Sequence, residues 1–384
     1  MAKRREKGDG SIYQRESDGR YVAYARLENG KKKYVYAATR KEVAAKLKKL
    51  QKEIADGKVI TAKPETVEMY LWNWLEGKTR IKETTYHNYR NAIQMALPHI
   101  GPILLTKLTS DHLQKMYVAL LIDHRNRSVQ LVHIILKMAC RDAMKRKKLS
   151  SNPCDEIETP KKPGEKKYEA TALTYPQCQK LIDTAKGTQL ECFVVFTLAT
   201  AMRRGELLAL RWTDIDLDEK TVHVQRTAAY LPDPKTKKHR WVETTPKSES
   251  GERVIPLTDF ALVALKSHRA RQLEQRLQTG SAWIDKNLVF PGKCGDHFAN
   301  STIQDQFKKL VRLAEIPDVC IHELRHSSAT LLRRRGVDLK TIQKILGHSN
   351  YAITANIYEH VSMDDQQEAM QKMDDLFSPG QTKM

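Results

Sequence analysis

The chain has 384 residues, of which 40% are hydrophobic and 29% are charged, a composition typical of folded domains rather than disordered proteins. Its formal charge of +20 predicts a polyanionic partner, although a ribosomal or membrane-surface protein would show a similar balance. The chain has no apolar run of the roughly 18 residues that a membrane span needs, and its start lacks the apolar core of a signal peptide, so we expect a soluble intracellular protein.

The cysteines are scattered along the chain and form no Cys-x-x-Cys pair, which argues against a disulfide framework or a structural zinc site. They are Cys140, Cys154, Cys178, Cys192, Cys294 and Cys320. We therefore expect ordinary reduced thiols.

Residues 1–60 hold about twice as many basic as acidic residues and have the pattern of a small α+β module, a three-stranded sheet followed by a helix. Asn29-Gly30 is typical of a hairpin turn, because both turn positions favour a positive φ. Thr39 and Glu42 have the capping-box spacing, which predicts a helix to about Ile54. The predicted strands are Ser11–Arg15, Arg20–Leu27 and Lys32–Ala37.

Residues 64–158 are predicted to form an all-helical domain of four or five helices. Trp72 and Trp74 lie in an apolar stretch and are expected to pack in the core. Residues 159–169 carry Pro, Gly and Lys without a hydrophobic period, which predicts a linker. The clearest helical patterns are Val67–Leu75, Thr84–Met95, Ser110–Ala119 and Ser128–Lys147.

Residues 170–384 are predicted to be mainly helical, with a small β-sheet near residues 221–256. This region collects arginines, histidines, a lysine and a tyrosine, the residue kinds needed to cut a phosphodiester without a metal. Pro246–Leu257 has the pattern of a strand, a turn and a second strand. The segments that carry these side chains are Thr200–Glu206, Pro246–Leu257, His322–His326, Leu346–Ser349 and Thr354–His360.

In their order along the chain, these segments resemble the active-site motifs of the tyrosine recombinase (phage integrase) family. That family has Arg, Lys, His-x-x-Arg, His and Tyr in this order, and it usually has Gly at the position of Ala201 and Asp at the position of Glu323. The resemblance implies a catalytic domain that needs no metal or other cofactor. The matching residues are Arg203, Lys247, His322, Arg325, His348 and Tyr358.

The resemblance also implies a role for each of these residues. Arg203 and Arg325 would bind the phosphate, since a planar guanidinium donates two hydrogen bonds to phosphate oxygens. Arg203 matches the family position rather than Arg204, because it lies three residues before Glu206. Lys247 would protonate the leaving 5′ oxygen.

The two histidines and the tyrosine complete the implied mechanism. His322 and Arg325 are three residues apart on a predicted helix and so share a face. His322 would accept the proton of Tyr358, His348 would hydrogen-bond a phosphate oxygen, and Tyr358 would form a 3′-phosphotyrosyl bond.

The N-terminal module resembles the arm-type DNA-binding domain of integrases, and residues 64–158 resemble the core-binding domain. A solvated β surface with no ligand is the alternative for the module. The DNA-binding candidates on the module are Tyr24, Arg26, Lys31, Lys32 and Lys33. Those on the helical domain and linker are Lys145, Arg146, Lys147, Lys148, Lys161 and Lys162.

These features predict the integrase of a phage or integrative element, acting in the bacterial cytoplasm on the nucleoid rather than at a membrane. The implied partners are double-stranded DNA attachment sites, a DNA-bending host factor, an excision directionality factor and further copies of the chain. Family members act as tetramers in which a C-terminal helix docks on a neighbour, and Gln366–Phe377 is the candidate helix.

Three other interpretations use the same residues. His322-Glu323-x-x-His326 matches the zinc motif of metallopeptidases, but that assignment leaves Arg203, Lys247, Tyr358 and the +20 charge unexplained. A type IB topoisomerase uses related chemistry, but the arm-like N-terminus argues for recombination. A DNA-binding module with an inactive site is disfavoured because all six catalytic positions hold the expected residue type.

Overall fold

The computed structural model describes residues 12–26, 32–55, 64–161, 164, 171–233, 236, 238–246, 249–298 and 300–350. The chain divides into two compact units, Met1–Lys167 and Tyr168–Met384, and this boundary falls within the predicted linker. None of the described helices combines the length and the apolar character needed to cross a membrane.

The N-terminal module has the predicted α+β fold, an antiparallel sheet in the order β1-β2-β3 with one helix packed against it. Thr39 Oγ1 accepts a hydrogen bond from Glu42 N at 3.3 Å, as the capping-box spacing predicts. The predicted Asn29-Gly30 turn lies outside the described residues. The elements are β1 (Ile12–Gln14), β2 (Tyr21–Arg26), β3 (Lys32–Ala37) and α1 (Arg40–Ala55).

The helical region of the first unit has four long helices around its own apolar core, as predicted. Trp74 is 1% exposed, and its indole N–H donates to Asp142 Oδ2 at 2.8 Å. Trp72 packs against the same core, so the expectation that both tryptophans pack is confirmed. The helices are α2 (Val67–Glu76), α3 (Glu83–Ile100), α4 (Ser110–Asp123) and α5 (Asn126–Lys145).

The second unit is mainly helical and is built around α7, whose residues are apolar on every side. Such a helix is stable only when other elements surround it. Phe193 and Phe196 of α7 contact the ring of Phe290. The helices are α6 (Tyr175–Ala185), α7 (Glu191–Thr200), α8 (Arg204–Leu208), α9 (Asp259–Thr279), α10 (Asn300–Leu313), α11 (Ile321–Arg334) and α12 (Leu339–Leu346).

The β region of the second unit differs from the predicted strand, turn and strand at residues 246–257. The strands are β4 (Ile215–Asp216), β5 (Thr221–Val224), β6 (Thr227–Pro232), β7 (His239–Thr244) and β8 (Arg253–Pro256). β7 pairs with β6, whereas β8 pairs with β5 in the order β4-β5-β8. The second predicted strand is confirmed as β8, but the predicted local pairing was wrong, because β8 pairs with β5, earlier in the chain. Residues 247–248, where the first strand was predicted, lie outside the described residues.

Candidate active site

A sharp turn between α7 and α8 positions Arg203. α7 ends at Thr200, and Ala201 adopts the left-handed conformation with φ of 51°. A side chain with a Cβ is strained there and Gly is not, which explains physically why the family usually has Gly at this position. Arg203 follows in an extended conformation as the N-cap residue of α8.

Glu206 is the buried carboxylate that fixes the orientation of Arg203. Its side chain is 3% exposed, and its Oε1 accepts a hydrogen bond from Arg203 Nη1 at 2.8 Å. Its Oε2 accepts from the backbone N of Arg203 at 2.9 Å. Burial raises the pKa of Glu206, but its bonds with Arg253 and Arg203 outweigh that effect and hold the pKa below its usual value. The residue is therefore a charged anchor.

Arg325 lies on α11 and is 3% exposed. Its Nη1 donates to Ala201 O at 2.8 Å and its Nη2 donates to Leu346 O at 2.5 Å. Burial and the nearby cation of Arg203 lower the pKa of Arg325 to about 9. Burial and the neighbouring arginines thus outweigh the favourable charge of Glu206 at this guanidinium, and a further anion would stabilise it.

Arg253 is the member of the cluster that the sequence analysis missed. Its Nη2 donates to Glu206 Oε2 at 2.9 Å, and its side chain is 7% exposed. Arg253 and the buried Ile255 are two residues apart on β8 and therefore lie on the same face of the strand. The Arg253 side chain thus points toward the core. A charged residue at an inward strand position is a signal that the sequence does contain.

Two histidines of the predicted site lie near these arginines. Burial and the charges of Arg325 and Arg203 lower the pKa of His322. The same influences, with Arg253 in addition, lower the pKa of His348 to about 4. Both imidazoles are therefore neutral at pH 7, the state in which a ring nitrogen can accept a proton.

The described part of the site holds an excess of positive charge. The side chains of Arg203, Arg253 and Arg325 surround Glu206, the carboxylate to which Arg203 and Arg253 are both bonded. A phosphodiester brings the negative charge that would balance this excess. Lys247, Tyr358 and the helix predicted at residues 366–377 lie outside the described residues.

The zinc interpretation of His322-Glu323-x-x-His326 lacks support. The Glu323 carboxylate caps its own helix by accepting from Cys320 N at 2.6 Å, and it also accepts from Thr171 N at 3.0 Å. The described residues contain no group of three or more His, Cys, Asp or Glu side chains that would hold a metal ion. Glu323 has a structural role that needs no metal.

The lowered pKa values predict that acid destabilises the protein. A histidine whose folded pKa lies below the unfolded value of about 6.5 favours folding above that value, and the gain is lost as pH falls. We expect the thermal midpoint to drop between pH 7 and pH 5, with His348 contributing about 1 kcal/mol after allowance for solvent screening. His348→Gln should reduce this drop, and His99→Gln, at an exposed position in the other unit, is the control. An equal acid loss in His348→Gln would contradict the prediction.

The sheet of the first unit has an exposed face with aromatic and basic side chains. Directly opposed strand residues share a face, so Tyr24 and Tyr34 lie beside Arg26 and Lys32. Lys32 Nζ lies 4.4 Å from the centre of the Tyr24 ring. Lys33 is opposite Ala25 and thus belongs to the other face, the one that carries the apolar core with α1. Lys31 is outside the described residues.

The basic run Lys145–Lys148, which begins at the last residue of α5, contains both exposed and partly buried side chains. Lys145, Arg146 and Lys147 are exposed. Lys148 Nζ lies 2.5 Å from Glu65 Oε1, an ion pair within the protein that competes with any phosphate contact. Lys161 is exposed, and Lys162 lies outside the described residues.

Comparisons with known proteins identify related sequences along most of the chain. Residues 171–365 match the phage integrase family, and residues 66–121 match the N-terminal SAM-like domain of phage integrases. A XerC-like tyrosine recombinase of Caldanaerobacter subterraneus subsp. tengcongensis is 31% identical over 374 residues, which cover 93% of this chain and 95% of the relative. The ICEBs1 integrase of Bacillus subtilis is 26% identical over 88% of this chain and 91% of its own length.

Solved structures share the fold at lower sequence identity. The Tn1549 transposon integrase in complex with transposon right end DNA has a TM-score of 0.67 at 18% identity, covering 80% of this chain and 99% of that one. A λ integrase tetramer bound to a Holliday junction has a TM-score of 0.57 at 17% identity, covering 94% of this chain and 100% of its own. At these identities the likeness is one of fold.

Proposed function

The chain belongs to the phage integrase family and is a site-specific tyrosine recombinase, and we propose that it integrates and excises a mobile element through a 3′-phosphotyrosyl intermediate. The observation that carries the proposal is the cluster of Arg203 and Arg325 beside the buried Glu206, with His348 close to both arginines. It combines fixed cations for a phosphate with a neutral imidazole beside them.

In the proposed cleavage step, the Tyr358 oxygen attacks the scissile phosphorus and the bond to the 5′ oxygen breaks. His322 takes the proton of Tyr358, whose usual pKa of about 10 keeps it a phenol at neutral pH. Lys247 gives a proton to the leaving 5′ oxygen. Arg203 and Arg325 balance the charge that develops on the phosphate oxygens, and His348 donates a hydrogen bond to one of them.

The covalent bond conserves the energy of the broken phosphodiester, so rejoining needs no nucleotide cofactor. A 5′ hydroxyl from the partner site attacks the phosphotyrosyl bond, releases Tyr358 and joins the two DNA strands. Exchange of one strand pair at a time passes through a Holliday junction. We propose that four copies act together on the DNA in the cytoplasm, on the nucleoid, with a DNA-bending host factor and an excision directionality factor as accessory partners.

In the proposed domain organisation, residues 1–60 bind arm-type DNA, residues 64–158 bind the core site, residues 159–169 link the domains, and residues 170–384 catalyse. The face of the N-terminal sheet that carries Tyr24, Arg26 and Lys32 supports the arm assignment, because a β-ribbon with basic and aromatic side chains fits the major groove. Lys33 is not part of that face.

A recombination assay tests the proposed function. The DNA that flanks the gene in its genome supplies the two candidate attachment sites, which are placed on separate plasmids with the purified protein. We expect a joined product with the predicted junction sequence. Failure to join these sites, with or without a host extract, would contradict the proposal.

The role of Lys247 predicts a selective rescue. A substrate whose 5′ leaving oxygen is replaced by sulfur needs little protonation, because a thiol is far more acidic than an alcohol. Lys247→Ala should therefore cleave this DNA much faster than ordinary DNA, and His322→Ala, which lacks the proposed base, should not share the rescue. Equal impairment of Lys247→Ala on both substrates would show another role for the lysine.

The arm assignment predicts a change in salt dependence. A protein that starts at Lys63 should keep cleavage at core-type sites but lose efficient recombination. Each phosphate contact adds roughly 0.9 to the slope of log affinity against log salt, so the full chain should have the steeper slope on long DNA. The measurement is a salt titration of both proteins on long and core-only DNA. Equal slopes and equal recombination would show that residues 1–60 are not a DNA-binding arm.

A further inference from the structure

The C-terminal end of α12 is held by three arginines. The carbonyl groups at the end of a helix lack partners within the helix and carry its negative dipole end, which favours cations. Here three consecutive carbonyls each accept a hydrogen bond from a different arginine. The bonds are Arg253 Nε to Ile345 O at 2.7 Å, Arg325 Nη2 to Leu346 O at 2.5 Å, and Arg203 Nη2 to Gly347 O at 3.0 Å.

Arg253 connects this helix end to the anchor of Arg203. Its Nη2 lies 2.9 Å from Glu206 Oε2, and its Nη1 lies 3.3 Å from Glu206 Oε1. Its Nη1 also donates to Gly251 O at 3.0 Å, in the segment between Lys247 and β8. One guanidinium therefore bridges three parts of the chain that are distant in sequence.

The packing at Gly347 is a second, independent sign of this arrangement. Gly347 has a φ of 61°, and a Cβ built on it would lie 3.0 Å from Arg253 Nη1 and 2.6 Å from Ser250 O. The turn that carries His348 thus lies directly against Arg253, with no room for a side chain between them. Movement of Arg253 would be transmitted to this turn.

Arg253 differs from the arginines assigned to the phosphate. Four of its five N–H groups have acceptors in the structure, and its charge is balanced by Glu206. The two bonds described for Arg325 go instead to neutral carbonyls, so its charge is not balanced by those partners. The guanidinium of Arg253 thus uses most of its N–H groups for contacts within the protein.

We propose that Arg253 is a positioning residue for DNA cleavage, which holds Glu206 and the end of α12 so that Arg203 and His348 face the scissile phosphate. The inference rests on the proposed function. A lysine at this position keeps the charge but offers one ammonium group, which cannot meet Glu206, Gly251 and Ile345 together. The substitution Arg253→Lys therefore removes the hydrogen-bonding geometry of the guanidinium and keeps its positive charge.

The test compares Arg253→Lys with Arg271→Lys, a control at an ion pair of 2.6 Å with Glu191 in the same unit. Single-turnover cleavage of a nicked core-site DNA and affinity for that DNA are measured for each protein. We expect Arg253→Lys to cleave at least thirtyfold more slowly at saturating DNA, with Kd changed less than threefold, and Arg271→Lys to match the unsubstituted protein. An unchanged cleavage rate, or a loss confined to Kd, would overturn the proposal.

Two further measurements keep the test decisive. Combining Arg253→Lys with Glu206→Gln should slow cleavage no more than the worse single change, whereas multiplied losses would show that Arg253 does not act through Glu206.

The NMR titration of His348 needs no cleavage activity. Its midpoint should rise in Arg253→Gln because the Arg253 cation lowers the pKa of His348. An unmoved midpoint would contradict the link to His348. An unsubstituted protein that forms no covalent complex would instead contradict the proposed function.

Discussion

Replacing Arg325 by Ala should slow DNA cleavage by about 10³-fold or more, the cost expected for removing an arginine that stabilises the charge of a phosphoryl-transfer transition state. Arg325 has two neutral carbonyl acceptors, Ala201 O and Leu346 O, which orient the guanidinium without balancing its charge. Burial near Arg203 lowers the pKa of Arg325 to about 9, so keeping this side chain charged reduces the free energy of unfolding. A bound phosphate would recover that stability.

Arg325→Lys and thermal unfolding separate this effect from a loss of fold. The lysine keeps a charge but cannot hold both carbonyls and a phosphate, so its cleavage should also fall, although less than that of Arg325→Ala. DNA binding by the N-terminal unit should persist in both variants. Near-normal cleavage by a folded Arg325→Ala protein would show that this arginine is not the phosphate ligand.

Tyr358→Phe should abolish the covalent protein–DNA complex while leaving DNA binding close to normal. The substitution removes one oxygen and preserves the ring, so the change tests the nucleophile rather than the packing. The assay uses a labelled core site with a nick next to the scissile phosphate, which traps the intermediate. Denaturing electrophoresis then detects protein that migrates with the label.

Tyr351→Phe is the matched control, because Tyr351 lies seven residues before Tyr358 and outside the Thr354–His360 motif that resembles the family's nucleophile. It should form the covalent complex at the rate of the unsubstituted protein. A labelled protein band in Tyr358→Phe, or its loss in Tyr351→Phe, would assign the nucleophile to another residue.

Local sequence patterns predicted most of the secondary structure because short-range rules determine those elements. The β3 strand Lys32–Ala37 has the predicted bounds, and α2 begins at the predicted Val67. Strand pairing was predicted less well. β8 pairs with β5 across some thirty residues, whereas the sequence pattern indicated a local hairpin at residues 246–257.

At the candidate site, too, the sequence predicted individual residues better than the contacts between them. The family motifs identify Arg203, Arg325 and His348 one by one, but they do not reveal that all three depend on the end of α12 or on Glu206. The alternation along β8 puts Arg253 on the inward face, but its partners, Glu206 and Ile345, are 47 and 92 residues away in the sequence, so no local pattern identifies them. Such contacts depend on the tertiary fold rather than on any local period.

The most direct test of the central claim is to locate the DNA adduct on the chain. The trapped complex is digested with trypsin and nuclease, and the peptide that retains a nucleotide is fragmented in a mass spectrometer. Cleavage after Lys344 and Lys372 leaves one peptide that contains both Tyr351 and Tyr358, so the fragment ions must distinguish them. The mechanism predicts a 3′-linked nucleotide on Tyr358, and a nucleotide on any other residue, or a 5′ linkage, would contradict it.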